Sequence, residues 1–249
     1  MRLYAHRGSP GTTTVENTLP AVTASLQDGA DGVEVDLRLS HDGVLVVSHD
    51  PTLRRIAGSR AAVADSSWEQ LRLVAASAGV PLARVEEVLA VLAGRPVVLE
   101  VKRPQPGAVP ATVSALVQVL AELRRQGMPL DVTVSSFSPA VVTEVRATAP
   151  WELGVRTALL GDVRDRPTSL LRQALEDGHD QVHPNVAALL AEPSAVARAH
   201  ALGVGVVPWT VNRGRALRRL AALGVDGFIT DVPRSARQAL TVDARTAAA

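Results

Sequence analysis

Short runs rich in Val, Leu and Ile recur along the chain, separated by longer stretches with helical spacing. This alternation constrains the fold more than any other feature. The runs are 2–6, 32–39, 96–101, 131–135, 153–159, 180–183, 204–210 and 226–230. Most are apolar on both faces, as expected for parallel strands covered by helices. Helical spacing appears at 18–28, 85–93, 110–126, 139–147, 168–177, 194–202, 213–223 and 234–240. Eight such units in 249 residues predict an α/β fold, a closed (β/α)8 TIM barrel, as a single domain over 1–249. An open doubly wound sheet is the competitor; it is weakened by the even number of units and by the lack of a Gly-x-Gly-x-x-Gly turn. Glycines such as Gly178 and Gly224 close helical runs, and Ser138-Pro139 opens one.

Two places break the rhythm. Val44–Ser48 reads as a strand but follows Leu39 after only four residues, too few for a crossover helix. The pair is therefore an antiparallel hairpin turning at Asp42-Gly43. The stretch 51–81, with a short helical piece near 66–75, reads as a small insertion, and a segment of that length in a compact barrel is usually functional.

Composition excludes several classes of function. Hydrophobic residues make up 47% and charged residues 20%, which is globular rather than disordered. With no cysteine, disulfides, thiol catalysis and zinc-thiolate sites are excluded. The formal charge of +1 gives no support to a nucleic-acid surface. Neither a membrane-spanning run nor a secretory signal pattern is present, so a cytoplasmic protein is expected. Lys102 is the only lysine.

In a barrel, chemistry gathers at the carboxyl ends of the strands. The charged residues there are His6-Arg7, Glu34 and Asp36, His49-Asp50, Glu100 and Lys102, His183, and Asp231. Glu34 and Asp36, two apart, share one face of their strand, and Glu100 lies at the same level on the next barrel strand. Three carboxylates suit a hard divalent ion, Mg²⁺ or Ca²⁺, with Mn²⁺ also compatible. The competing reading pairs Glu34 and Asp36 with Arg7 and Arg38; the third carboxylate favours metal. The hairpin returns His49 to the level of Val35-Asp36, and His6 ends the first strand, so two histidines flank the carboxylates as a candidate acid and base. Lys102 faces the same way as Glu100 and, with Arg7, either neutralises the carboxylates or holds an anionic group. Together these groups suit a phosphodiester. Weaker candidates follow. Glu16 reaches the site or braces Arg7; Asn17 or Thr18 caps a helix; Phe137 and Trp209 wall a pocket or pack at the rim. His183 faces the mouth without a nameable partner, and His179 and His200 read as surface residues.

The segments His6-Arg7-Gly8, Glu16-Asn17-Thr18, Glu34-Val35-Asp36, Asp42-Gly43 through His49-Asp50-Pro51-Thr52-Leu53, Glu100-Val101-Lys102, Ser136-Phe137, Trp209-Thr210-Val211-Asn212 and Gly224 through Pro233 together resemble the glycerophosphodiester phosphodiesterase family, in the family's order. The resemblance implies a barrel enzyme that hydrolyses small-molecule glycerophosphodiesters to an alcohol and sn-glycerol 3-phosphate with one divalent cation. It implies His6 and His49 as acid–base pair, and Glu34, Asp36 and Glu100 as metal ligands. Arg7 and Lys102 would contact phosphate, Trp209 would line the glycerol pocket, and a cyclic phosphate would be the intermediate. Neither nucleic acid nor stable membrane insertion is expected. A lysophospholipase D or sphingomyelinase-D-like activity on the same scaffold is the main alternative, and a non-catalytic phosphometabolite-binding barrel a remoter one. The motifs leave open the head group, the metal, the order in which His6 and His49 act, the role of 51–81 and the oligomeric state.

Overall fold

The computed structural model describes residues 1–8 and 14–246, with side chains described to residue 241. The strands are β1 (Arg2–His6), β2 (Gly32–Leu39), β3 (Leu45–Val47), β4 (Val97–Val101), β5 (Val132–Ser136), β6 (Arg156–Gly161), β7 (Gln181–Pro184), β8 (Gly205–Val206) and β9 (Gly227–Thr230). Their order is β8-β7-β6-β5-β4-β2-β1-β9, with every neighbouring pair on this path parallel. Beyond β8 the chain runs along β9: Asp226 N–H donates to Val206 O at 2.9 Å, Ile229 N–H to Pro208 O at 3.0 Å, and Val211 N–H to Ile229 O at 2.8 Å. These bonds bring the sheet round on itself as the expected (β/α)8 barrel.

Side-chain alternation decides which residues point into the barrel. Val33, Val35 and Leu37 pack outward into a core with Val22, Val88 and Leu116 from the helices. Glu34 and Asp36 must then point inward. A second outer core joins Leu3, Leu159, Val182 and Phe228 to helix residues such as Leu170, Val196 and Leu220. Tyr4, Val98, Val207 and Ile229 form a separate small cluster with Trp209.

The hairpin lies where its turn residues place it. β3 pairs antiparallel with β2 in the register Leu37↔Val47 and Leu39↔Leu45. Stretch 51–81 is largely structured, with helices at Arg54–Ala57 and Trp68–Ser77 around a 3₁₀ turn at Val63–Asp65. The longer helix opens on a capping box in which the Ser67 hydroxyl accepts from Gln70 N–H and the Gln70 side chain accepts from Ser67 N–H. Leu53, Val63, Leu71, Ala75 and Val80 bury a satellite core against Val46 of the hairpin.

Two expected strands differ and one helix is additional. The strand expected at 153–159 is β6, Arg156–Gly161, because Trp151–Leu153 forms a 3₁₀ turn ending at Gly154, whose φ of 63° turns the chain before it can extend. The strand expected over 204–210 keeps only Gly205–Val206 as regular ladder, since Pro208 has no N–H to continue it. A further helix, Val186–Ala191, follows β7, capped by the Asn185 side chain accepting from Ala187 N–H. Gly178 and Gly224 do close their helices, with φ of 71° and 82°. No helix among the described residues is long and apolar enough to cross a membrane.

Candidate active site

Strand register sets the first layer of the site. Asp36 lies opposite Glu100 across β2 and β4, and His6 lies opposite Glu34 across β1 and β2. Glu34, Asp36 and Glu100 are all buried, and one oxygen from each lies within 4.8 Å of the others. Such crowding of carboxylates needs cationic compensation. Part of it comes from Lys102, whose Nζ sits 2.7 Å from Asp36 Oδ1 and also bonds Glu100. Part comes from Arg7, whose backbone N–H donates to Glu34 Oε2 at 3.0 Å and whose Nε lies 3.3 Å from Asp36 Oδ2. The arginine pairing weighed from the sequence thus holds for Arg7. It does not hold for Arg38, which turns both Nε and Nη2 onto the carbonyl of His49, at 2.9 and 2.7 Å.

Charge is still out of balance. Burial, reinforced by Asp36, raises the pKa of Glu34 well above the usual carboxylate range. Burial also raises Glu100, against the opposing pull of Lys102. At Asp36 burial is outweighed by Lys102 and Arg7, and its pKa falls. Glu34 Oε1 is buried with no hydrogen-bond partner. Three converging carboxylates, one with a bare buried oxygen, form a donor set of hard oxygens that fits a divalent cation such as Mg²⁺ or Ca²⁺.

The two histidines stand beside this cluster in matching arrangements. Ser48 N–H donates to Asp36 O at 2.9 Å, which seats the end of the hairpin against β2 and brings His49 to the mouth. His49 Nδ1 bonds Asp50 Oδ1 at 2.8 Å, while Asp50 Oδ2 accepts from Arg55 Nε at 2.6 Å. His6 Nδ1 bonds Asp231 Oδ1 at 2.6 Å, while Asp231 Oδ2 accepts from Asn212 Nδ2 at 2.6 Å. With an ionised carboxylate on Nδ1, each ring keeps its proton there and leaves Nε2 free; that of His6 lies 4.0 Å from Glu34 Oε2. Burial opposes a charged His6, but the Asp231 bond and the charges of Glu34 and Asp231 outweigh it and raise the pKa. At His49 burial dominates, Asp50 opposes it, Lys102 reinforces it, and the pKa falls.

Glu16 binds the insertion to the barrel. Its carboxylate accepts from Arg7 Nη1 at 3.1 Å and from Arg55 Nη1 and Nη2 at 2.8 and 2.6 Å. Asn17 does not cap the following helix; Thr18 does. Asn17 is instead buried, donating Nδ2 to Asp36 Oδ2 at 2.8 Å and accepting from Asp36 N–H at 3.2 Å. Arg7 and Asn17 both hold positive φ, 53° and 59°, and Asn17 N–H donates to Arg7 O. Gly8 follows Arg7 with φ 73°, and a Cβ there would lie 2.9 Å from Val22 N.

Trp209 and Phe137 meet edge to face with centroids 5.4 Å apart, and Trp209 Nε1 donates to His183 O at 3.0 Å. The His183 ring is fully buried, with Nε2 on Gln181 Oε1 at 3.0 Å; burial pushes its pKa down to about 3, and it stays apart from the cluster. His179 is a correction: it is buried rather than at the surface, its Nδ1 bonded to Thr157 Oγ1 at 3.0 Å. The cause is its place after the helix Pro167–Glu176, where the chain turns inward to meet β6 and β7. His200 is exposed as expected, paired with Asp226. Asp231 and Arg55 received no role from the sequence. Asp231 stood among the charged strand ends, but nothing local tied it to a histidine 225 positions earlier.

Comparisons with known proteins agree with this geometry. The model of the Glycerophosphoryl diester phosphodiesterase family matches residues 6–235. A glycerophosphodiester phosphodiesterase of Bacillus altitudinis is 31% identical over 246 residues, covering 93% of this chain and 95% of its own. One from Caldanaerobacter subterraneus is 29% identical, covering 94% and 95%. The solved structure of an Oleispira antarctica phosphodiesterase in complex with the product sn-glycerol-3-phosphate shares the fold, with TM-score 0.82, 23% identity and 97% coverage of both chains.

Proposed function

Because the chain belongs to the glycerophosphoryl diester phosphodiesterase family, we propose that it hydrolyses glycerophosphodiesters to an alcohol and sn-glycerol 3-phosphate, with His6 and His49 moving the protons. The observation that carries this reading is the pair of carboxylate-backed imidazoles on either side of one acidic cluster. Residues 1–249 are taken as one catalytic domain, a reading supported by the family match over 6–235. We also assign the enzyme to the cytoplasm; recovery of the native protein outside the cells overturns that assignment.

Glu34, Asp36 and Glu100 would hold the divalent cation, Mg²⁺ or Ca²⁺ with Mn²⁺ as a substitute. When bound, the ion supplies Lewis-acid polarisation and neutralises phosphate charge. Arg7 and Lys102 orient the phosphate, and Trp209 with Phe137 walls the glycerol end. In the first step the Nε2 of one histidine takes the proton of the glycerol hydroxyl next to the phosphate as its oxygen attacks phosphorus. The Nε2–H of the other gives its proton to the alcohol oxygen as that P–O bond breaks, leaving a cyclic phosphate. In the second step the roles exchange: water attacks phosphorus, loses a proton to one ring, and the reopened glycerol oxygen receives one from the other. Asp231 and Asp50 stabilise whichever ring is charged.

The test is a metal-stripped preparation given glycerophosphocholine, with Mg²⁺, Ca²⁺ or Mn²⁺ restored singly. Glycerol 3-phosphate should appear, vanish on chelation and be lost in His49→Ala at an unchanged melting temperature. Release of glycerol and phosphocholine would overturn the cleavage position. Full activity in His49→Ala would overturn the proton-transfer scheme.

A further inference from the structure

A cavity of about 420 Å³ opens beside the acidic cluster, between the hairpin, the insertion and the chain that follows β4. Its size is that of a small-molecule site. It shares Lys102 and Arg38 with the catalytic neighbourhood, and Arg103 adds a third cation. Ser40, Thr52 and Gln105 contribute hydroxyl and amide groups. No carboxylate lines it among the described residues. Phe137 directly follows β5 and Trp209 lies three residues beyond β8, while the cavity is walled by the end of β2, its hairpin, the insertion and the segment after β4. A diester whose glycerol end lies on the aromatic pair and whose phosphate lies on the cluster would therefore direct its alcohol into this cavity.

Resting on the diesterase reading above, we infer that this cavity is the head-group subsite and that it selects a hydroxyl-rich alcohol without positive charge, of the inositol or glycerol class, over choline or ethanolamine. Quaternary ammonium groups are bound by carboxylates or by aromatic faces. Among the described residues neither an acidic side chain nor a Phe, Tyr or Trp ring lines this space, whereas Arg38, Lys102 and Arg103 do. Lys102 is already paired with Asp36 and Glu100, and Arg38 with the His49 carbonyl, so Arg103 is the cation left to meet a head group. Guanidinium and ammonium groups have no acceptor capacity and donate only. They satisfy hydroxyl oxygens and, better still, phosphate substituents on them, as charge-assisted bonds. Arg103 is exposed at the cavity and has no ion-pair partner among the described residues, so its donors face solvent and are open to a ligand. A substrate ammonium brought to roughly 6 Å from Arg103, in an effective dielectric of about 40, would be disfavoured by about tenfold in kcat/KM.

The experiment compares kcat/KM for glycerophosphoinositol and glycerophosphocholine with the Mg²⁺-loaded enzyme, its Arg103→Glu and Arg103→Ala variants, and Ala64→Trp, which fills the cavity. The wild type should favour the inositol diester by about tenfold or more. Arg103→Glu should shift the ratio toward choline by about tenfold and Arg103→Ala by less, with melting temperatures unchanged. Ala64→Trp should raise KM for the inositol diester. Equal wild-type values for the two diesters, or a ratio unmoved in both Arg103 variants, overturn the subsite while leaving the diesterase reading intact. Failure to cleave either diester with Mg²⁺, Ca²⁺ or Mn²⁺ overturns that reading and the subsite with it.

Discussion

Replacing Asp231 with asparagine removes one charge and changes almost no shape, yet the hydrogen bonds around it make the change severe. Asn212 Oδ1 accepts from Thr230 Oγ1 at 3.1 Å and from the backbone N–H of residue 231 at 2.8 Å. Its amide is therefore locked with Nδ2 facing the Oδ2 position of residue 231. An asparagine there must turn its oxygen to Asn212 and its NH₂ to His6 Nδ1. The neutral ring then accepts at Nδ1 and carries its proton on Nε2, the nitrogen required as the base, and the charged ring loses its carboxylate. A positioned general base or acid contributes about 10²–10⁴-fold, or about 2.7–5.4 kcal/mol. Asp231→Asn should lose that much in kcat, measured as glycerol 3-phosphate release. Asp231→Ala should lose less, because water at this half-exposed position accepts from either tautomer. Nitrogen-15 NMR of His6 should show the proton on Nδ1 in the wild type and on Nε2 in the asparagine variant. An Asp231→Asn enzyme within threefold of wild type, or one more active than Asp231→Ala, refutes the argument.

Asp50 obeys the same logic, since Arg55 Nε holds its outer oxygen; Asp50→Asn should lower kcat by about 10²-fold in the same assay. Metal binding should compete with a proton on Glu34, whose pKa burial and Asp36 hold up. Affinity should therefore weaken as pH falls, by up to about tenfold per unit for one proton displaced, with proton release visible by calorimetry in buffers of different ionisation enthalpy. pH-independent affinity would count against it. His183 stays neutral in the fold, with a pKa of about 3, but titrates near 6.5 once unfolded. The unfolded state takes up the extra proton, so the stability from this group is full above pH 6.5 and falls as pH drops toward 3. Between pH 7.5 and 5 the loss is about 2 kcal/mol, and His183→Gln should lack it in urea unfolding. Parallel pH profiles for the two proteins would exclude it.

The residues that carry the fold act locally, and that is why the chain reads so well without coordinates. The four-residue turn at 40–43 determines the hairpin, because it is too short for a crossover helix, and the alternation of apolar runs and helical spacing with an even count of units favours the barrel over an open doubly wound sheet. Period two alone turns Glu34 and Asp36 the same way, and parallel register adds Glu100. The misplaced β6 and the shortened β8 are also local effects, a left-handed glycine turn and a proline without an N–H. What tertiary structure alone decides is which partner each polar group takes. Arg38 could have met a carboxylate and instead holds the His49 carbonyl; Asn17 could have capped a helix and instead braces Asp36. Asp231 reaches His6 only because barrel closure lays β9 beside β1. A side-chain hydrogen bond depends on a few tenths of an ångström and on how much water is excluded, and both are set by strands far apart in sequence. The chain's single lysine shows the division. Its spacing from Glu100 points it into the mouth, but only the packed barrel seats its ammonium between Asp36 and Glu100, with the cavity at its side.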